Sequence, residues 1–298
     1  MKMHLIKKLY KNLRYFYLGR FFTIEEVIRK RFKWTVKRNV DLKNPQLFSE
    51  KLQWLKLNWD NPIAKKCADK YEVRKIVEDI IGSEYLNDLY GVYDSVDEIN
   101  LEKLPNSFVL KATHGSDSNI ICRDKKEKNW NKEYRKMKKW FNRNIYWITG
   151  EWVYKDIKPR IICERYLENE NSKELYDYKF YCFNGTPMYC QVIKERNTGS
   201  TIDFFDTEWN HMEFTGLKKR PQSKYKIKKP QKYNEMLELA KKLSNSFPFV
   251  RVDFYYVNNK IYFGELTFFP KSGFGEFNPP EWNEKLGNLI ELPEKNLS

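Results

Sequence analysis

Residues 251–270 read RVDFYYVNNKIYFGELTFFP. β-Branched and aromatic residues flank Asn258-Asn259, a dipeptide that tolerates the left-handed backbone of a tight turn. A β-hairpin is therefore predicted. Two acids, Asp253 and Glu265, lie within its strands among Val252, Phe254, Phe263 and Leu266. A carboxylate in such surroundings is unfavourable unless it is paired or bound to a cation. Loop length decides where the acids point. A two-residue loop, Asn258-Asn259, pairs Asp253 with Gly264 and sends Glu265 to the opposite face. A three-residue loop, Val257–Asn259, pairs Asp253 with Phe263 and sets both acids on one face as diagonal neighbours. The second register is the expected one. It lets two carboxylates share magnesium, a hard ion that takes oxygen ligands. A salt bridge from Arg251 is the plainer alternative.

Upstream, residues 107–119 read SFVLKATHGSDSN. Phe108-Val109-Leu110 is a core strand ending on Lys111, and Ile120-Ile121-Cys122 is a second strand. Between them lies a small polar loop containing His114, Gly115, Ser116, Asp117 and Ser118. Backbone N–H groups of small residues can approach phosphate oxygens closely, and the lysine supplies a point charge. The loop lacks the G-x-x-x-x-G-K-[ST] of a P-loop, and no G-x-G-x-x-G occurs. Alone it also fits an edge lysine before an ordinary turn.

Apolar spacing predicts helices over 46–57, 70–81, 131–147 and 231–245, the second closed by Gly82. Strands are expected over 160–167, 177–183 and 188–195, the last two flanking the hairpin signal Asn184-Gly185, and over 201–210. Helices and strands mix without strict alternation, so the class is α+β. Lys218–Pro230, rich in Lys, Pro and Gln, is the segment least expected to be ordered.

The chain has 298 residues, 41% hydrophobic and 16% aromatic, with a formal net charge of +15, so an anionic partner is plausible. Residues 1–40 hold twelve Lys/Arg against two Glu. Leu5, Leu9, Leu13 and Phe16 recur at helical spacing with Lys7, Lys8, Lys11 and Arg14 between them. This basic amphipathic helix suits either an anionic membrane surface or docking on the body. No run approaches the roughly 20 apolar residues of a spanning helix. Five scattered cysteines and three histidines argue against structural zinc and fit a reduced cytoplasmic compartment. Cys182 and Cys190 read as core thiols. No nucleic-acid-binding motif is present, so nucleic acid is not the expected partner.

Taken with ADKYEVRKIV, ICERYL, DYKFYCFNGTP and FFDTEWN, these two stretches resemble the ATP-grasp superfamily. The likeness is to its TupA-like branch, teichuronopeptide-biosynthesis proteins of bacterial surface polysaccharide clusters. It covers about Asn44 to Pro280. It implies two α+β subdomains clasping ATP, with an N-terminal helical extension. The implied division is a basic extension over 1–40, a pre-grasp region over 41–104, a lid with the phosphate loop over 105–168, and a metal-binding subdomain over 169–298.

The resemblance further implies that Lys70 and Lys111 meet nucleotide phosphates, with His114, Gly115, Ser116 and Ser118 closing over them. Glu164 stands next to adenine, with Tyr166 and Leu167 as hinge backbone. Asp177 is a ribose partner, Lys179 faces phosphate or substrate, and Arg196 stabilises an acyl-phosphate. Asp253 and Glu265 hold Mg2+. Where many relatives carry Asn, this chain has Thr267, a weaker ligand, which bears on a second Mg2+ site. The implied activity is an ATP-dependent carboxylate–amine ligase. Its implied substrates are a uronic acid, free, lipid-linked or polymeric, and an amino acid or amino-alcohol. It would act in the cytoplasm or peripherally at the inner face of the cell membrane. The alternative is a glycosyltransferase or sugar-binding protein of the same kind of pathway. No D-x-D metal motif supports it, since Asp203 and Asp206 stand three apart.

Overall fold

The computed structural model describes residues 21–169, 175–194, 200–217 and 220–294. The amphipathic repeat of residues 5–16 lies outside them. Thr23 opens α1 (Ile24–Val36) through a capping box with Glu26. Three helices follow, α2 (Phe48–Asn58), α3 (Pro62–Ala68) and α4 (Val73–Ile81). Gly82 ends α4 with φ 108°, a conformation that a side chain would strain.

Next come β1 (Leu89–Tyr93), β2 (Phe108–Ala112), β3 (Asn119–Cys122), α5 (Trp130–Phe141), α6 (Tyr146–Thr149) and β4 (Ile161–Arg165). The single helix expected over 131–147 is two. Asn142 ends α5, and the Asn144 side chain caps the Tyr146 N–H at 2.9 Å, so local amide bonds outcompete the helix between them. The strands form an antiparallel sheet in the order β1-β4-β2-β3. Its core packs Phe108, Leu110, Ile120, Ile161 and Cys163 against Met137 and Trp140 of α5. The lid boundary expected at residue 105 therefore falls inside this sheet, because β1 belongs to it.

The second unit contains β5 (Asp177–Phe183), β6 (Thr186–Lys194), β7 (Thr201–Asp206), β8 (His211–Met212), β9 (Thr215–Gly216), α7 (Tyr233–Ser244), β10 (Phe249–Val257), β11 (Lys260–Thr267), β12 (Phe277–Asn278) and α8 (Glu281–Asn288). Six strands make one antiparallel sheet, ordered β11-β10-β5-β6-β7-β8. Alternation along the strands separates its faces. Tyr178, Phe180, Val252 and Phe254 belong to one face, where Phe180 and Tyr233 of α7 lie 5.7 Å apart between ring centroids. The other face carries Lys179 and Asp253, then Tyr181, Phe183 and Phe249. There Phe48 of α2 packs on Phe249 at 5.0 Å. One face is thus charged near the β10–β11 turn and aromatic at its far end. Arg220–Pro230 contains neither helix nor strand.

The β10–β11 turn corrects the predicted register. Val257 pairs with Lys260, so the loop is the two residues Asn258 and Asn259, with φ 48° and 63°. That loop alone would put Glu265 on the wrong face. A bulge restores the alignment. Phe254 pairs with Phe263, Asp253 pairs with Glu265, and Gly264 is the extra residue. The acids are direct cross-strand partners rather than diagonal ones. The absence of a side chain matters here, since a Cβ on Gly264 would stand 3.0 Å from the Asp253 carbonyl oxygen.

Candidate active site

The charged face is held together by Arg251. Its Nε donates to Asp253 Oδ1 at 2.6 Å, and its Nη2 to Asp253 Oδ2 at 2.7 Å and Glu265 Oε1 at 3.0 Å. Thr267 Oγ1 accepts from the same nitrogen at 3.1 Å and donates to Glu265 Oε1 at 3.0 Å. Lys179, aligned with Asp253 across β5 and β10, bonds its carboxylate. Its Nζ also lies 3.5 Å from Asp177, which is fully buried. Burial alone would push the Glu265 carboxyl up. Arg251, Lys179 and Lys70, with the Thr267 hydroxyl, instead bring it down to about 2. Burial pulls the Lys179 ammonium down, and Asp253 opposes that pull.

The second cluster is built on β2. Lys111, the last residue but one of that strand, contacts Glu164 of β4 at 2.5 Å. The other Glu164 oxygen meets Arg74 of α4 at 3.1 Å. Lys70 occupies the turn before α4. Asp69 shapes this turn by accepting from the Tyr71 N–H at 2.7 Å and from Arg160 at 3.2 Å. Lys70 Nζ then donates to the Gly115 carbonyl at 2.5 Å, inside the polar loop. A Cβ on Gly115 would sit 2.6 Å from Ile145, so the loop packs too closely there for a larger residue. Ser118 Oγ donates to the Ser116 carbonyl at 3.3 Å, and Asp117, φ 57°, is exposed. His114 is buried, with Nε2 2.8 Å from the Trp140 carbonyl, and burial lowers its pKa. Its ring is anchored to α5.

The two clusters meet. A single cleft is lined by Lys70, Arg74, Leu86, Lys111, Ile162 and Glu164 from one side and by Phe263 and Gly264 of the bulge from the other. Burial lowers the Lys70 ammonium, with Glu265 opposing and Lys111 adding to the shift, so Lys70 and Lys111 share one electrostatic environment with Glu265 of the hairpin. Cations beside apolar Leu86, Ile162 and Phe263 suit a ligand with an anionic tail and a flat apolar head. Tyr166 and Leu167 follow β4 on the way to β5, and Arg123 Nε donates to the Tyr166 hydroxyl at 2.9 Å. Arg165 Nη2 donates to Tyr262 at 2.6 Å, joining this connection to β11. Arg196 lies outside the described residues.

Three residues of this environment escaped the sequence reading. Arg251 appeared there only as an alternative partner for Asp253, although its place two residues before an acid on one strand face was the available signal. Arg74 had none. Tyr154 shares the field of Glu151, Glu265 and Arg251, and burial pushes its phenol well up.

Asp253, Glu265 and Thr267 form an all-oxygen donor set on one face, which fits Mg2+. That ion is commonly held by one or two carboxylates together with phosphates and waters. No cluster of three or more His, Cys, Asp or Glu suited to a metal occurs among the described residues.

Two α+β units facing across a cationic cleft, with an acid pair on the final hairpin, define the ATP-grasp fold of ATP-dependent ligases. The chain belongs to the TupA-like ATP-grasp family, whose model matches residues 50–291. No curated protein matches its sequence. Among solved structures it is similar to D-alanine–D-alanine ligase from Bacillus anthracis complexed with ATP. The identity is 15%, covering 76% of this chain and 63% of that one, with a TM-score of 0.40. The Helicobacter pylori D-alanine–D-alanine ligase gives 15% identity over 83% of this chain and 69% of that one, with a TM-score of 0.42. The ATP-grasp ligase PsnB complexed with minimal precursor, Mg and ADP gives 10% identity over 70% and 52%, with a TM-score of 0.39. The chain thus spans about half to two thirds of the length of these structures. No described helix is long and apolar enough to cross a membrane.

Proposed function

We propose that the protein is an ATP- and Mg2+-dependent carboxylate–amine ligase that forms an amide by way of an acyl-phosphate. The observation that supports this most is the cleft that brings Lys70 and Lys111 against Phe263 and Gly264 of the hairpin, with Glu265 in the field of Lys70. Lys70 and Lys111 bind the triphosphate. Gly115, Ser116 and Ser118 form the backbone that closes over it and keeps water from the activated carboxylate. Ile162 and Phe263 flank the base, near Glu164 and the Tyr166–Leu167 connection. Asp177 serves the ribose. Asp253 and Glu265, with Thr267, hold Mg2+, which when bound neutralises charge on the transferring phosphoryl group. Arg251 and Lys179 already lie against Asp253. With Arg196 they supply cations that orient the substrate carboxylate and stabilise spreading negative charge.

The carboxylate is a uronic acid of a bacterial surface polysaccharide, and the amine an amino acid or amino-alcohol. The saccharide is free, lipid-linked or polymeric. Residues 1–40 bring the enzyme to the inner membrane face. The test is turnover. Purified protein with Mg-ATP should release ADP only when both a carboxylate and an amine are supplied. Turnover of a sugar nucleotide without ATP would overturn the reading in favour of a glycosyltransferase.

A further inference from the structure

Between Phe214 and Asn234 the sequence contains no acid. From Arg220 onward that stretch carries Lys224, Lys226, Lys228, Lys229 and Lys232. Its composition is that of a solvated coil, yet the structure pins it down. The Ile202 N–H donates to the Pro221 carbonyl at 3.0 Å, and Gln222 Nε2 to the Met212 carbonyl at 2.8 Å. The Ser223 N–H donates to the buried Asp203 carboxylate at 3.0 Å, which also takes His211 Nε2 at 3.0 Å. Ile227 is buried, and its carbonyl accepts from Trp209 Nε1 at 3.2 Å.

The pinned loop leaves its charge uncompensated. Lys232 pairs with Glu235 at 3.5 Å and Lys229 lies over the Tyr233 ring at 4.9 Å. Arg220, Lys224, Lys226 and Lys228 are exposed and have no ion-pair partner among the described residues. Tyr225 stands at a bend between two of these lysines, 77% exposed. Like charges held close together repel, and an anionic surface relieves that repulsion. A phenol ring has an apolar body and a polar tip, which suits the boundary between headgroups and acyl chains, while flanking ammonium groups meet anionic headgroups. A ringless soluble polyanion such as polyglutamate would satisfy the lysines but offer little apolar surface to Tyr225. A loop already fixed also loses little conformational freedom on docking.

We infer that the Arg220–Lys229 loop is a membrane-docking surface that seats Tyr225 among the headgroups of an anionic leaflet. It is separate from residues 1–40 and does not rest on the ligase reading.

All five cysteines are buried, so Tyr225→Cys in the full chain offers one accessible thiol for an environment-sensitive dye. The dye should shift to the blue on vesicles containing phosphatidylglycerol and stay water-like on pure phosphatidylcholine. Because the reporter sits on this loop, contact by the N-terminal segment alone does not produce the shift. Adding Lys224→Glu, Lys226→Glu and Lys228→Glu should weaken vesicle partitioning by at least about fivefold per lysine. Thermal melts check that these variants fold. No shift on anionic vesicles, or an equal shift on neutral ones, overturns the inference. A shift with soluble polyglutamate but none with vesicles makes the loop a polymer site instead.

Discussion

Asp253 stands directly opposite Glu265, one residue out of the register that the Asn258-Asn259 turn sets, and Gly264 takes up the difference. The pairing of the two acids thus depends on a bulge and not on the turn. A methyl group at 264 would press on the Asp253 carbonyl at 3.0 Å and on the Tyr255 ring at 3.3 Å. Gly264→Ala should cost about 1 kcal/mol in urea unfolding. It should lower ADP release by a much larger factor, about a hundredfold, because displacing a reacting group by an ångström has that effect. Equal activity in the variant would mean that the acid pair tolerates misalignment and is not the metal site.

Lys111 and Arg74 share the two oxygens of Glu164. Removing Lys111 leaves Glu164 still paired, so Lys111→Ala should melt within a few degrees of the parent. Its ADP release should fall by roughly 100-fold or more, the scale of losing a preorganised charge on the transferring group. Calorimetric titration of Mg-ATP separates binding from turnover. A variant that binds and turns over normally would remove Lys111 from the nucleotide site.

The positions of both hairpins were legible because Asn184-Gly185 and Asn258-Asn259 can take positive φ, and the structure gives each of these residues that sign, although the second loop is one residue shorter than expected. The strand lysine and the polar loop were legible because an apolar run ending on a cation is a local pattern. The bulge was not, since a glycine within a strand signals a bulge, a bend or merely a weak position, and only the partner strand decides. β1 was missed because five half-exposed residues, LYGVY, show no clean alternation. Arg251 was read as a competitor of the metal, yet it touches Asp253, Glu265 and Thr267 at once. Its reach across two strands is a tertiary fact that spacing along one strand does not contain.

The acid limb of stability should report on Glu265. Burial raises its carboxyl, but Arg251 and the nearby lysines bring it to about 2, below the unfolded value of about 4.3. A depressed folded pKa gives stability that is present above the unfolded value and lost as pH falls through the folded one. The loss attributable to Glu265 should therefore span pH 4.3 down to about 2. In Glu265→Gln that part of the slope should disappear from urea curves measured across the window. Parallel slopes in parent and variant would show that Arg251 does not hold the carboxylate.

Thr267 contributes a hydroxyl where an amide oxygen would be a better ligand for a hard cation. Thr267→Asn should lower the Mg2+ concentration needed for half-maximal ADP release several-fold, with the ATP requirement unchanged. Thr267→Val removes the oxygen altogether and should raise that concentration. Identical Mg2+ titrations for all three would place Thr267 outside the metal's reach.

Lys56 supplies the last test, through the backbone beyond the acid pair. Its Nζ donates to Gln53 Oε1 at 3.0 Å and to the carbonyls of Thr149 and Ser272 at 2.8 Å each. Lys271, Ser272 and Gly273 all have positive φ, so this lysine braces an unfavourable turn shortly after β11. Burial lowers its pKa to about 7, with Glu151 opposing and Arg31 adding to the shift. The unfolded chain, titrating near 10.4, binds more protons across the interval between. Stability must therefore rise with pH from about 7 toward 10.4 as the buried charge is relieved. Lys56→Met cannot titrate, so this contribution to the slope should be missing from its unfolding free energy over that interval. Its deficit against the parent should widen from pH 7 to pH 9. A constant deficit at both values would mean that Lys56 stays charged in the folded protein, held by its three oxygens and by Glu151.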